Sequence, residues 1–292
     1  MLKNGIIRPS NSQWATPLVP VKEEGKKLRI VGDYRRLNVR TSVERYPIPN
    51  IQDSTQMLHG KKMFSVVDLV RAYHNIPVFP QHVHKTAVIT PIGLFEYTRM
   101  PFGLRNAGAT YQRFMNSILF DLPFVFCYID DVLIFSDSPE EHRVLARFQK
   151  YGLSINMQKS KFFVTEVNFL GYKISQHGMI PLPERIEFIR SMEKPKTITE
   201  LRRTLGILNY YRRFTRVAAK YLAPLNEVLR GHTRKKDRTQ IKCTPELEEA
   251  FEEARKAFIE YTLLHFPKEG AQLMLTCGAP GKHILRSTRA IK

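Results

Sequence analysis

Three aspartates stand out for the chemistry they could do together. Asp68 ends a short β-branched run, 64–67, and Asp130 and Asp131 lie between two apolar runs, 124–129 and 132–135. Carboxylate oxygens are the hard donors that Mg²⁺ prefers. Two or three of them gathered at strand ends in a basic cleft could hold a pair of divalent ions. Such a pair stabilises both the attacking and the leaving oxygen of an in-line phosphoryl transfer. Asp68 is far from the other two in sequence, so only folding could unite them. Taken alone, an Asp-Asp pair in a hairpin is most often just a turn, and an aspartate ending a strand is unremarkable.

The elements that would position these residues are legible in outline. The runs flanking Asp130-Asp131 have the pattern of a β-hairpin with carboxylates at its tip. Residues 28–31, 64–67, 94–100 and 167–174 read as further strands. Residues 9–20 read as loop and 41–53, with Pro47 and Pro49, as an extended linker. Asn106 is placed to cap a helix whose apolar face is Tyr111, Phe114, Met115, Ile118 and Leu119. Residues 139–150 read as a short helix.

From about residue 180 the texture becomes helical. Thr197 and Glu200 form a T-x-x-E capping box. The helix after it carries an apolar stripe at Ile198, Leu201, Leu205, Leu208 and Tyr211, with Arg202, Arg203, Arg212 and Arg213 on other faces. A basic, polar connector spans 230–242. Thr244-Pro245 then opens a helix with Leu247, Phe251, Ala254 and Phe258 on one face.

Composition narrows the partner. The 292 residues carry 46 Lys and Arg against 27 Asp and Glu, a net charge of +19, with 43% hydrophobic residues. That is a globular composition with the basic excess expected of a protein that binds a polyanion, most simply nucleic acid. The length suggests two or three subdomains. Cys127, Cys243 and Cys277 are far apart and have neither disulfide nor zinc spacing, which suits a reducing, intracellular setting. No signal-peptide layout, apolar span or internal repeat is present, so no membrane partner is expected.

The surroundings of the aspartates carry a resemblance. Tyr128-Ile129-Asp130-Asp131 resembles the Y-x-D-D box of reverse transcriptases, and FSVVDLVRAYHNI at 64–76 resembles the first-aspartate motif of gypsy-type LTR retrotransposons. So do GIIRPS at 5–10, LRIVGDYRRLN at 28–38, YPIP at 46–49, MPFGLRN at 100–106, ATYQRF at 109–114, FLGY at 169–172 and LGILNYYRRF at 205–214. They occur in that family's order and at nearly its spacing, from about residue 4 to about residue 280.

The resemblance implies an α+β right-hand polymerase. Its fingers would be 1–45 and 76–106, its palm 46–75 and 107–176, its thumb 177–240 and its connection 241–270, with an RNase H remnant at 271–292. The palm would be an antiparallel sheet backed by helices. The implied activity is RNA-directed DNA polymerisation: addition of deoxynucleotides to a primer 3′ end on an RNA or DNA template, with Mg²⁺, or Mn²⁺ as the alternative. Asp68, Asp130 and Asp131 would be the catalytic metal ligands. Tyr73 would lie under the incoming sugar and exclude a 2′-hydroxyl; otherwise it is a core tyrosine.

Arg29 and Lys22 would clamp the triphosphate, with a solvated loop charge as the alternative for Lys22. Phe102 and Gln112 would belong to the nucleotide pocket, and Phe102 could equally be simple packing. Phe169, Leu170, Gly171 and Tyr172 would form the primer grip. Arg202, Gly206 and Tyr210 would lie in the minor groove of the product duplex, unless Gly206 is only a tolerated helix glycine. Template-primer, deoxynucleotides and other pol or gag products are the implied partners. A cytoplasmic particle is the implied location, with the nucleus as the alternative.

Several positions depart from the family pattern. Met1 reads as a clipped start. Gly108 stands where Pro or Ala is usual, Tyr111 where Phe is usual and Ser160 where Cys is common. The helix near 140–150 is about five residues short, which is not a whole number of turns and would misphase its buried face unless loops absorb the change. Gly278 stands where the first RNase H aspartate would be, and 271–292 contains no Asp or Glu. One strand there cannot build a sheet for such a site, so no RNase H activity is expected. The two larger departures leave a second reading open: a decayed retroelement fragment that only binds nucleic acid.

Overall fold

A computed structural model describes the chain except residues 22–28, 56, 138–143, 216–217, 235–236, 243, 261–263, 267–272, 279–284 and 291–292; of Arg29, Gln52 and the last two strands only the backbone is described. The chain forms two compact units. The first comprises Met1–Met57 and Lys61–Val164, and the second Leu58–Gly60 and Thr165–Lys292.

The first unit opens with β1 (Ile7–Pro9), β2 (Thr16–Val21), β3 (Arg29–Gly32), α1 (Arg35–Arg40), α2 (Ile51–Ser54) and β4 (Met63–Asp68). It continues through β5 (Val88–Thr90), β6 (Gly93–Tyr97), α3 (Ala107–Leu119), β7 (Val125–Tyr128), β8 (Asp131–Ser136), α4 (Val144–Lys150) and β9 (Lys161–Val164). Two sheets result. One is five-stranded in the order β1-β6-β5-β2-β3, and the other four-stranded in the order β7-β8-β4-β9. The second is antiparallel throughout. Strand β2 falls in the stretch expected to be loop. It pairs antiparallel with β3 and, through Thr16 and Pro17, parallel with β5.

The β7-β8-β4-β9 sheet shares one core with two helices. Tyr111, Met115, Ile118 and Leu119 of α3 meet Val67, Val132 and Ile134 of the strands and Val144 and Phe148 of α4. Phe114 is only partly buried. Val144 and Phe148, four residues apart on one helix face, are both fully buried, and burying a side chain of that size stabilises by about 2 kcal/mol. The described part of the short helix is therefore in phase with the core, as it would be if loops absorb the change in length; its expected start at 139–143 lies outside the described residues. Asn106 precedes α3 but does not cap it with its side chain. Its Oδ1 accepts from the Glu44 N–H at 3.1 Å and its Nδ2 donates to the Ser42 carbonyl at 2.8 Å, so it anchors the 41–46 linker instead.

The second unit begins with a meander of β10 (Glu166–Phe169), β11 (Tyr172–Ser175) and β12 (Gly178–Pro181), paired in that order. Helices α5 (Pro183–Arg190), α6 (Ile198–Tyr211), α7 (Ala218–Glu227) and α8 (Pro245–Ile259) follow. The single strand expected over 167–174 is two. Leu170 and Gly171 have φ of 47° and 83°, which turns the chain in the left-handed sense that suits a two-residue hairpin. The Thr197–Glu200 capping box forms, and Ile198, Leu201, Leu205, Leu208 and Tyr211 are all buried. Thr244 caps α8 by accepting from the Leu247 N–H.

A final hairpin pairs β13 (Leu273–Gly278) with β14 (Leu285–Ala290), with Gly278 opposite Leu285. The single remnant strand expected there is thus two strands. No helix among the described residues is long and apolar enough to cross a membrane.

Candidate active site

The β7–β8 hairpin sets two of the three aspartates. Tyr128 pairs with Asp131, which leaves Ile129 and Asp130 as a two-residue turn. Asp131 is thus the first residue of β8 rather than part of the tip. On its other side β8 pairs with β4, and Asp131 lies directly opposite Asp68. Side chains opposite one another in an antiparallel pair start from Cβ atoms about 5 Å apart. The register alone brings together residues that are remote in sequence.

The backbone of Asp68 is held on both sides. Its N–H donates to the Ser160 hydroxyl at 3.1 Å, and its carbonyl accepts from the Asn156 N–H at 2.8 Å. Ser160 in turn donates to the Asn156 carbonyl at 2.8 Å. The β4–β9 ladder is irregular between Phe64 and Val66, and there the buried Ser65 hydroxyl accepts the Phe163 N–H at 3.0 Å. Side-chain hydroxyls complete a ladder that backbone pairing leaves open.

The electrostatics are those of crowded anions. Burial pushes the Asp131 carboxyl up to about 6, with Asp130 and then Asp68 adding to the shift and Lys159 opposing it. Lys159 Nζ lies 3.5 Å from Asp68 Oδ2. Among the described residues no group of three or more His, Cys, Asp or Glu side chains is gathered closely enough to hold a metal ion as it stands. The donor set is nonetheless all oxygen and anionic, which fits a hard divalent cation, and such a cation would relieve the repulsion.

Lys159 thus acts as an internal counter-ion. Lys159→Met is expected to lower the melting temperature in EDTA by about 1–2 °C, the worth of an exposed ion pair. That loss should vanish in saturating Mg²⁺. A deficit of equal size with and without Mg²⁺ would mean that Lys159 has no part in balancing the site.

Aromatic residues gather beside the aspartates. Tyr73 sits on the 3-10 turn Ala72–Asn75, which the chain enters through a left-handed Arg71 at φ 51°. Its ring meets the Phe102 ring edge-on at 5.0 Å and the Tyr111 ring at 5.5 Å. Burial raises the Tyr73 hydroxyl, and Asp130 and then Tyr128 raise it further. Tyr73, Phe102 and Asp130 therefore share one locality, and Phe102 is partly exposed. Arg29 lies in β3, while Lys22 is outside the described residues.

Gln112 departs from expectation. It was expected in the nucleotide pocket, but it is fully buried. Its amide binds Ile129 and Cys127 of the hairpin and Asn116 of its own helix.

In the second unit the expected primer-grip residues form the hairpin turn between β10 and β11. Phe169 and Tyr172 are buried at its base. A Cβ on Gly171 would come within 3.1 Å of Tyr211 Oη. On α6, Gly206 and Tyr210 are exposed. The Tyr210 ring stacks on Tyr172 at 5.3 Å and its hydroxyl donates to the Leu170 carbonyl at 2.8 Å. Arg202 does not stand free on that stripe. Its guanidinium donates to the carbonyls of His232 and Arg234.

Residues that sequence reasoning missed are Lys159, Asn156 and the supporting role of Ser160. They lie in a short polar stretch with no pattern to mark them. Gln112 did carry a signal: it is a polar residue on the apolar face of α3, beside Tyr111 and Met115.

Comparison with known proteins identifies the family. Residues 21–174 match the family model described as reverse transcriptase (RNA-dependent DNA polymerase). The chain is 38% identical over 293 residues to the retrovirus-related Pol polyprotein from transposon 297 of Drosophila melanogaster, covering 96% of this chain and 27% of that protein. It is 38% identical over 243 residues to the corresponding polyprotein from transposon opus, covering 79% of this chain and 24% of that one. The transposon Tf2-3 polyprotein of Schizosaccharomyces pombe is 37% identical over 273 residues, covering 91% of this chain and 20% of that one. The chain thus spans about a quarter of the length of the curated relatives it matches.

Among solved structures, a foamy viral protease-reverse transcriptase in complex with double-stranded DNA matches with a TM-score of 0.86 at 24% identity, over 100% of this chain and 54% of that one. Another, in complex with an RNA/DNA hybrid, matches with a TM-score of 0.77 at 23% identity, over 100% of this chain and 41% of that one. The fold is an α+β polymerase fold. The chain belongs to the reverse transcriptase (RNA-dependent DNA polymerase) family.

Proposed function

We propose that this chain is an RNA-directed DNA polymerase that adds deoxynucleotides to a primer 3′ end on an RNA or DNA template and releases pyrophosphate. The observation that carries this reading is the pairing of Asp68 with Asp131 across two strands, with Asp130 in the adjoining turn. These three aspartates would hold Mg²⁺, with Mn²⁺ as the alternative. When bound, the ions neutralise charge on the reacting phosphate and favour the ionised 3′ oxygen. Tyr73 takes its place beneath the sugar with Phe102 at its edge, and Arg29 and Lys22 clamp the triphosphate. The hairpin 169–172 guides the primer, and Arg202, Gly206 and Tyr210 face the product duplex.

In this reading residues 1–45 and 76–106 act as fingers, 46–75 and 107–176 as palm, 177–240 as thumb and 241–270 as connection. Residues 165–176, the end of that palm, belong to the second compact unit. The names of the relatives support a retrotransposon Pol polyprotein of the LTR class, and the sequence motifs support the gypsy type. Such a protein works with its template, its primer and the other pol and gag products of the element. It does so in a cytoplasmic particle, with the nucleus as the alternative. RNase H chemistry is not assigned to residues 271–292, which contain no carboxylate.

Primer extension on poly(rA)–oligo(dT) with Mg²⁺ tests the reading, with Asp68→Asn as control. Templated synthesis by the wild type and none by the variant supports it, and synthesis of equal rate by both would overturn it.

Binding of the template-primer is expected to be mainly electrostatic, given the net charge of +19. Contact with about six phosphates gives a log–log salt slope near −5 for a duplex. Fluorescence anisotropy across a salt series measures it. A flat series would mean that the basic surface does not face the nucleic acid.

A further inference from the structure

The turn that carries Asp130 is not one its own residues favour. Ile129 has φ 57°. A β-branched residue pays a steric penalty in that left-handed region, and neither glycine nor asparagine is present there to absorb it. Something outside the turn has to hold it.

The side chain that does so is Gln112. It comes from α3 and is fully buried. Its Oε1 accepts the Ile129 N–H at 2.7 Å. Its Nε2 donates to the Cys127 carbonyl at 2.9 Å and to Asn116 Oδ1 at 2.8 Å. Both amide hydrogens are therefore used, and the two backbone groups fix which end of the amide faces which. Asn116 is itself tied to the Tyr46 hydroxyl at 2.8 Å. The Cys127 thiol adds a bond to the Ile129 carbonyl at 3.2 Å. A Cβ on Gly108 would lie 3.7 Å from Ile129 Cδ1, so α3 also approaches the turn residue's side chain closely.

We infer that Gln112 is a positioning residue: its buried amide holds Ile129 in the left-handed conformation that sets Asp130 in the turn beside Asp131. This rests on the reading of the three aspartates as the reactive centre. It differs from a nucleotide contact, for which a fully enclosed amide with both hydrogens committed has little left to offer. The division of labour is physical. A strained residue keeps its geometry only where the surroundings over-determine it, and misplacement of a reacting group by about 1 Å costs on the order of a hundredfold in rate.

The test uses Gln112→Met, which keeps the length of the side chain and removes its hydrogen bonds, alone and combined with Ile129→Gly. Glycine adopts the left-handed conformation without a clamp. In the full chain, Gln112→Met should lower kcat for primer extension by about 10–100-fold while KM for deoxynucleotide stays within about twofold. Adding Ile129→Gly should recover most of the lost kcat. A rise in KM with kcat unchanged, or no recovery in the double variant, would overturn the inference.

Hydrogen exchange gives a readout independent of activity. The amide at 129 should exchange at least about tenfold faster in Gln112→Met than in the wild type, while amides of β4 keep their protection. Unchanged exchange at 129 would refute the clamp even if activity fell. If the wild type does not extend primers, the proposed function fails, and the exchange experiment still decides whether Gln112 holds the turn.

Discussion

Asp131→Asn is expected to lower primer extension by about a thousandfold and to make the metal-free protein more stable. Both effects follow from the same crowding. Burial and two neighbouring carboxylates push the Asp131 carboxyl from 3.8 to about 6. A group whose pKa is higher in the folded than in the unfolded chain contributes stability that is complete below about pH 4. That contribution is lost as the pH rises through about 6.

Two pH units correspond to about 3 kcal/mol. Solvent screening at this partly exposed site reduces the recoverable part to about 1 kcal/mol. The neutral variant should therefore melt about 2–4 °C higher than the wild type at pH 7.5 in EDTA. Below about pH 4 the two should melt nearly together. Extension should fall by about a thousandfold, the scale of losing one charge-stabilising group. Wild-type extension rates in the variant would end the assignment. Equal melting temperatures at pH 7.5 would show that the carboxylates do not strain one another.

Tyr73→Ala should relax selection between deoxyribose and ribose. The ring is held edge-on by Phe102 and Tyr111, so its position is set by the protein rather than by the ligand. Removing it clears the space that a 2′-hydroxyl would need. Discrimination, measured as the ratio of kcat/KM for deoxynucleotide and ribonucleotide, should drop by about 10–100-fold, the worth of one well-placed steric contact. Tyr73→Phe keeps the ring and should keep the discrimination. An unchanged ratio in Tyr73→Ala would reduce Tyr73 to a core residue, supported by the same two rings.

Much of the fold was legible because it rests on local rules. The periodicity of α6 and α8 and their caps at Thr197 and Thr244 depend on neighbours three and four residues away, and both formed as read. The opposition of Asp68 and Asp131 was not a local property. It depends on the β4–β8 register, and only the resemblance of the flanking motifs pointed to it.

What escaped the sequence shares one cause: groups whose partners lie far along the chain. Asn106 looks like a cap but spends its amide on the linker at 42 and 44. Arg202 looks like a free cation but reaches the carbonyls at 232 and 234. Gln112 looks like a binding-site polar residue and serves the hairpin backbone. In the same way, Leu170-Gly171 was read through as strand because the flanking apolar residues masked the turn. The left-handed conformation of Leu170 is not one its type announces.

The bond between Tyr210 and the Leu170 carbonyl, with the ring of Tyr210 laid on Tyr172, has a thermodynamic side. A turn and a helix face that were separately mobile would each lose conformational freedom when a strand of nucleic acid settled on them. Joined before any ligand arrives, they would meet the nucleic acid of the proposed function as a single body. The entropy of ordering them is settled during folding, and less of the binding free energy is spent on making the surface hold still.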